Sequence, residues 1–128
     1  MLFRKEKKMK EEKAKILYNF EDDIFLARPL ERDYDSSFQI GNFIFDLDKN
    51  NNVRGIELIN ASKLFGISKA FLKDMVSGKL EIVVSEKYIQ INIQIKTKVR
   101  NADNTSSLSI ERIRPDFINP TELHLALA

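Results

Sequence analysis

The sequence predicts an α+β domain in which antiparallel β-hairpins form a sheet with one central helix, at about residues 62–76. Three observations carry this reading. Apolar and polar residues alternate in short runs separated by turn residues, the pattern of half-buried strands. Residues 61–78 instead space their apolar side chains at helical intervals. Residues 1–15 hold seven Lys/Arg and three Glu, a net of +4, which describes a charged N-terminal helix or tail. The expected organisation is a basic extension over 1–15 and a single domain over 16–128.

The charged run "RKEKKMKEEKAK", residues 4–15, is rich in helix formers and has little apolar face. Residues 16–30, "ILYNFEDDIFLARPL", read as a hairpin. A three-residue acidic turn sets Phe20 opposite Ile24 and Tyr18 opposite Leu26, so Ile16, Tyr18, Phe20, Ile24 and Leu26 share one face. Pro29 lacks an N–H and suits a strand end or edge.

After a polar connection, residues 38–48 and 53–59 read as a second hairpin. A type I′ turn at Asn50-Asn51 pairs Asp48 with Val53, Asp46 with Gly55 and Ile44 with Glu57. In residues 61–78, Leu64, Phe71 and Met75 form one stripe, with Phe65, Leu72 and Val76 beside it. Ser68 is an expected N-cap and Gly78 an expected stop, while Gly66-Ile67 is a point where the segment can divide.

Residues 80–85 and 88–99 make a third hairpin. Ile89, Ile91, Ile93 and Ile95 face inward, and Gln90, Asn92, Gln94 and Lys96 face outward. "NADNTSS" (101–107) reads as a loop and 108–114 as the last strand. "LHLALA" (123–128) fits strand or helix.

Composition narrows the chemistry. The chain has 128 residues, no Cys and one His, His124, which leaves no disulfide framework and no thiolate or multi-imidazole metal site. No apolar run reaches the ~20 residues of a membrane helix, and no apolar segment follows the basic N-terminus as in a signal peptide. A cytoplasmic location is expected. Four Gly, none in a phosphate-binding pattern, and a lone His in an apolar tail give no catalytic constellation. No cofactor, metal or catalytic residue is assigned.

Two stretches point to a family. "YNFEDDIFLA" (18–27) and "FIFDLDKNNNVRGIELINAS" (43–62) together resemble the domain of unknown function 2283 family, small prokaryotic proteins, over roughly residues 16–62. Gly55-Ile56-Glu57 is the most distinctive element. Asn51 stands where that family often has Gly. The resemblance implies a small β-rich domain and no particular activity.

Two segments carry further expectations. "DLDKNNNVRGIE" (46–57) places Asp46, Asp48, Asn50 and Glu57 at EF-hand ligand positions. It lacks the glycine at position six and the flanking helices, so it reads as an acidic hairpin. "ASKLFGISKAFLKDMVSGKLEIVV" (61–84) resembles the winged helix-turn-helix of excisionase-like DNA-binding proteins. Ala61, Leu64, Phe65, Gly66, Ile67, Ser68, Leu72, Val76, Gly78 and Leu80 occupy the matching places. That resemblance implies DNA contacts by Ser68, Lys69 and Lys73. Asp74 would oppose phosphate, and no Arg is present there for bidentate base contact.

The leading expectation is a non-catalytic binding or assembly module of unknown partner. The alternative is a DNA-binding regulator using residues 61–85. The exposed Gln/Asn strand face and Pro29 at a strand edge leave room for self-association, and a homodimer is the assembly this would give.

Overall fold

Period-two patterning governs most of the chain. The computed structural model describes residues 11–31 and 34–127. Its strands are β1 (Glu12–Asn19), β2 (Ile24–Pro29), β3 (Ser36–Ile40), β4 (Phe43–Leu47), β5 (Val53–Ile59), β6 (Met75–Val84), β7 (Tyr88–Val99), β8 (Ala102–Ile113) and β9 (Thr121–Leu127). Two short helices, α1 (Ala61–Phe65) and α2 (Lys69–Lys73), lie between β5 and β6.

The strands form one sheet in the order β3-β4-β5-β2-β1-β9-β6-β7-β8, curled into a half-barrel. Neighbours are antiparallel except β1 and β9, which run parallel through Glu12–Leu125 and Lys13–Ala126. Phe25, Phe43, Phe45, Ile56 and Leu58 from one half join Leu80, Ile82, Leu125 and the β7 isoleucines from the other in a single buried core. Phe38 stacks on Phe45 at 5.1 Å and meets Phe117 edge-on at 5.3 Å, which holds the β8–β9 connection against β3 and β4.

This architecture overturns the α+β expectation. Strand accounts for 62% of the described residues and helix for 9%, with no central helix over 62–76. Gly66, at φ 67°, ends α1, and the Ser68 hydroxyl caps a separate α2 by accepting the Phe71 N–H at 3.2 Å. Residues 75–78 then enter β6, where β7 supplies ladder partners from Met75 onward and β9 joins on the other side at Gly78. Two flanking strands outweigh a helical apolar spacing whose propensity advantage is small. Gly78 is not a helix stop. A Cβ there would collide with the Gln94 carbonyl of β7, so glycine allows that close approach. Of the apolar stripe, Phe65 and Leu72 are buried, whereas Phe71 and Val76 are exposed.

Register supplies further corrections. The β1–β2 hairpin pairs Tyr18 with Phe25 and Asn19 with Ile24. Its loop is one residue longer than expected, and a one-residue slip exchanges the faces of a strand. Phe25 and Ala27 therefore enter the core, while Ile24 and Leu26 turn outward. β2 lies between β5 and β1, so Pro29 ends an interior strand and marks no edge. Residues 38–48 are two strands joined at Gly41-Asn42, with Gly41 at φ 56°. Residues 102–107 are strand, and the tail from Thr121 is strand. β1 begins at Glu12, within the charged run, and residues 1–10 of that run lie outside the described residues.

Candidate functional site

Much of the polar sequence signature serves the fold. Asp23 sits in the β1–β2 turn at φ 55° and is buried. Its carboxylate accepts hydrogen bonds from the Tyr18 hydroxyl (2.6 Å), the Ser62 amide (3.0 Å) and the Ser62 hydroxyl (2.6 Å), and its carbonyl accepts from the Ala61 amide. A residue distant in sequence, through its side chain and its carbonyl, thus satisfies two amide groups that the first turn of α1 leaves open. Burial pushes the Asp23 carboxyl up, but the bonds from Ser62 and Tyr18 and the charge of Lys69 outweigh it and leave the group below the usual carboxylate range. Burial, then the Asp23 bond and charge, raise the Tyr18 phenol above its ordinary range. Both groups keep one protonation state at neutral pH, which suits a clasp rather than a proton shuttle.

The acidic hairpin detaches Asp48 from the other two carboxylates, Asp46 and Glu57, which line one depression. Asp46 pairs with Gly55 and Ile44 with Glu57, as expected, but a bulge between Asp46 and Leu47 sets Leu47 opposite Val53. Val53 thereby joins Leu47 in the core and Asp48 leaves the ladder. The Asp48 carboxylate accepts the Asn50 and Asn52 amides at 2.9 and 3.0 Å. Burial raises its pKa, and these bonds, with the charge of Arg54, bring it below the usual range. Only Asn51 of the central pair has positive φ, 62°, so the turn is not type I′. Among the described residues no group of three or more His, Cys, Asp or Glu is placed to hold a metal ion.

Gly55 owes its place to crowding. A Cβ there would lie 2.9 Å from Arg28 Cβ and 3.1 Å from Asp46 Oδ2. Beside it an open depression of about 280 Å³ is lined by Leu26, Arg28, Tyr34, Ser37, Asp46 and Glu57. This shallow surface has both charge signs and no enclosed volume.

Ser68, Lys69 and Lys73 lie together, close to the β1–β2 turn. The Lys69 and Lys73 amino groups sit 5.6 and 5.4 Å from the centroid of the Phe20 ring, and Lys69 also reaches the Glu21 carbonyl at 3.4 Å. The Ser68 hydroxyl is engaged as the cap of α2. With five residues, α2 extends only ~7.5 Å, about one and a half turns. His124 lies on β9 between Glu81 and Glu122, at 3.5 and 3.2 Å.

A further candidate recognition element is the outer edge of β8, the last strand of the sheet. Its inner side pairs with β7 in twelve consecutive steps, from Tyr88–Ile113 to Val99–Ala102, without a bulge. Among the described residues its outer side pairs with no strand, although residues of α1 approach β8. Main-chain groups of an antiparallel strand point alternately to its two sides, so about half of those in β8 address the open edge. Residues 102–113 contain no Pro and no Lys, two devices that commonly block such edges. The opposite edge, β3, has only five residues. Reading 101–107 as a loop missed this feature, because Asn, Asp and Ser favour turns. The legible signal was the alternation of Ser107 and Ser109 with Leu108 and Ile110.

Comparison with known proteins gives a consistent but limited frame. A family model described as "protein of unknown function (DUF2283)" matches residues 15–62. That segment includes Asp23 and Gly55 and ends before β6. An uncharacterised protein of Methanocaldococcus jannaschii is 31% identical over 84 residues, 65% of this chain and 72% of that protein. A Methanosarcina mazei protein, provisionally named a hypoxanthine phosphoribosyltransferase, is 27% identical over 84 residues, 66% of this chain and 68% of its own. No solved structure matches the chain.

Proposed function

The chain belongs to the DUF2283 family of proteins of unknown function, and on that premise we propose that it is a non-catalytic binding module that takes up an extended chain segment at the β8 edge. The observation that carries this reading is the length and openness of that edge: twelve residues, no bulge, no Pro and no Lys. Strand addition supplies main-chain hydrogen bonds for affinity, and alternate side chains supply selectivity. The polar clusters elsewhere support the same reading, because Asp23 and Asp48 are occupied by bonds within the fold. The enzymatic name of the Methanosarcina protein stays with that protein.

A fluorescein-labelled peptide spanning residues 102–113 tests the edge by anisotropy. Saturable binding that is lost when alternate peptide amides are N-methylated is expected. Equal binding of the methylated peptide, or no binding by monomeric protein, overturns the reading.

Nucleic acid is the alternative partner, through Ser68, Lys69 and Lys73. The two lysines held over Phe20 form a small basic patch that supports it. Binding to duplex DNA is expected to be weak, non-selective and lost above roughly 150 mM salt. Salt-resistant, sequence-selective binding abolished by Lys73→Ala would establish the DNA reading instead.

A further inference from the structure

We propose that the segment received at the β8 edge is β8 of a second copy of this chain, paired antiparallel about a two-fold axis through Leu108. The inference rests on the edge-binding reading and names its partner. Two copies of one strand related by a two-fold axis normal to the sheet run antiparallel, so an open edge is complementary to itself whenever its side chains permit. Directly opposed residues share a face in such a pair. The axis must therefore pass where a residue faces its own copy, because any half-step register would oppose inward and outward side chains.

Only two registers pair eleven of the twelve β8 residues, those centred on Ser107 and on Leu108. Centring on Ser107 sets Asp103 opposite Glu111, twice by symmetry, and like charges directly opposed are destabilising. Centring on Leu108 sets Asp103 opposite Ile113, Thr105 opposite Glu111, Ser107 opposite Ser109 and Asn104 opposite Arg112, with no like charges facing. It also brings the two Leu108 side chains together on the inner face, where Leu108 and Ile110 already pack against the core. Ile113, 78% exposed in the single chain, gains a cross-strand neighbour. The small Ser and Thr side chains along the outer face allow the two strands to approach.

Sedimentation velocity on the full chain across a concentration series reads the assembly. The mass is expected to rise from 14.9 kDa to twice that value. Ser106→Pro and Ser107→Pro discriminate the edge. Their N–H groups point to opposite sides of β8, so one variant disturbs the β7 ladder while the other blocks only the open edge. The edge-blocking variant, identified by a urea midpoint equal to that of the wild type at concentrations where both are monomeric, is expected to remain monomeric throughout the series. The chain has no cysteine, so Leu108→Cys provides a register test independent of those variants. Mild oxidation is expected to link it as a dimer on a non-reducing gel, and to link Ser107→Cys far less.

A monomer at every concentration that still binds the labelled 102–113 peptide overturns the second-copy proposal and leaves edge binding standing. A monomer that binds no peptide overturns both. A dimer that persists in the edge-blocking variant, or that links through Ser107→Cys and not through Leu108→Cys, overturns the proposed pairing.

Discussion

Replacing Tyr18 by Phe removes one oxygen from the protein and tests how the β1–β2 turn is held to α1. The hydroxyl donates to Asp23 Oδ1 at 2.6 Å, and Asp23 keeps its two bonds from Ser62 when the phenol is lost. The carboxylate is therefore not orphaned, and the cost is that of one bond to a charged acceptor, about 1.5–3 kcal/mol. Tyr18 is only half-buried, which favours the lower end, about 1.5–2 kcal/mol. For a chain of this size that is a fall in Tm of roughly 5–8 °C. Urea melts at several pH values supply the sign. The folded Asp23 pKa lies below its unfolded value of 3.8, so its contribution is complete above that value and is lost as pH falls through the folded pKa. The Tyr18 pKa is raised above 10.0, so the wild-type protein also loses stability as pH climbs past the unfolded phenol value. The gap between wild type and Tyr18→Phe should be widest near neutrality and narrow at both extremes. A gap below ~0.5 kcal/mol at pH 7, within the range of inconsequential substitutions, would refute the clasp.

Two other substitutions probe backbone demands. Asn51 has φ 62°, so Asn51→Gly should be neutral or stabilising in denaturant melts, while Asn51→Val should cost about 1–2 kcal/mol. Equal midpoints for the two variants would contradict the left-handed turn. Gly55→Ala should cost about 1–3 kcal/mol, since the new Cβ must displace Arg28 Cβ, the Asp46 carboxylate and the Ala27 carbonyl at 2.9–3.2 Å. An unchanged Tm would show that the outer face relaxes freely there.

The candidate site was only partly legible. The helix-turn-helix resemblance rested on ten positions between Ala61 and Leu80, Gly66 and Ser68 among them. Gly66 does take a left-handed turn and Ser68 does cap a helix, both local preferences of short range. What followed was not legible, because the end of α2 at Lys73 depends on strands supplied from residues 94–97 and 127. The acidic hairpin behaved similarly. Its two flanking strands and the Asp46–Gly55 pairing follow from alternation, whereas the bulge that detaches Asp48 answers to Val53 joining Leu47 in the core. The β8 edge was hidden for a different reason. Its polar residues satisfy turn statistics as well as strand statistics, and only the β7 ladder decides between them.

By itself, the sequence determined what depends on near neighbours. The strict alternation at Ile89, Ile91, Ile93 and Ile95 allows one buried face, Asn51 tolerates positive φ, and the signature over residues 15–62 identifies the family. Only the tertiary structure decided which face of β2 is buried, that residues 75–78 are strand, and that the C-terminal tail inserts between β1 and β6. Those outcomes depend on main-chain hydrogen bonds offered by strands distant in sequence. A residue's own side chain does not encode whether such a partner will be present, and once it is, pairing outweighs the small differences in local preference.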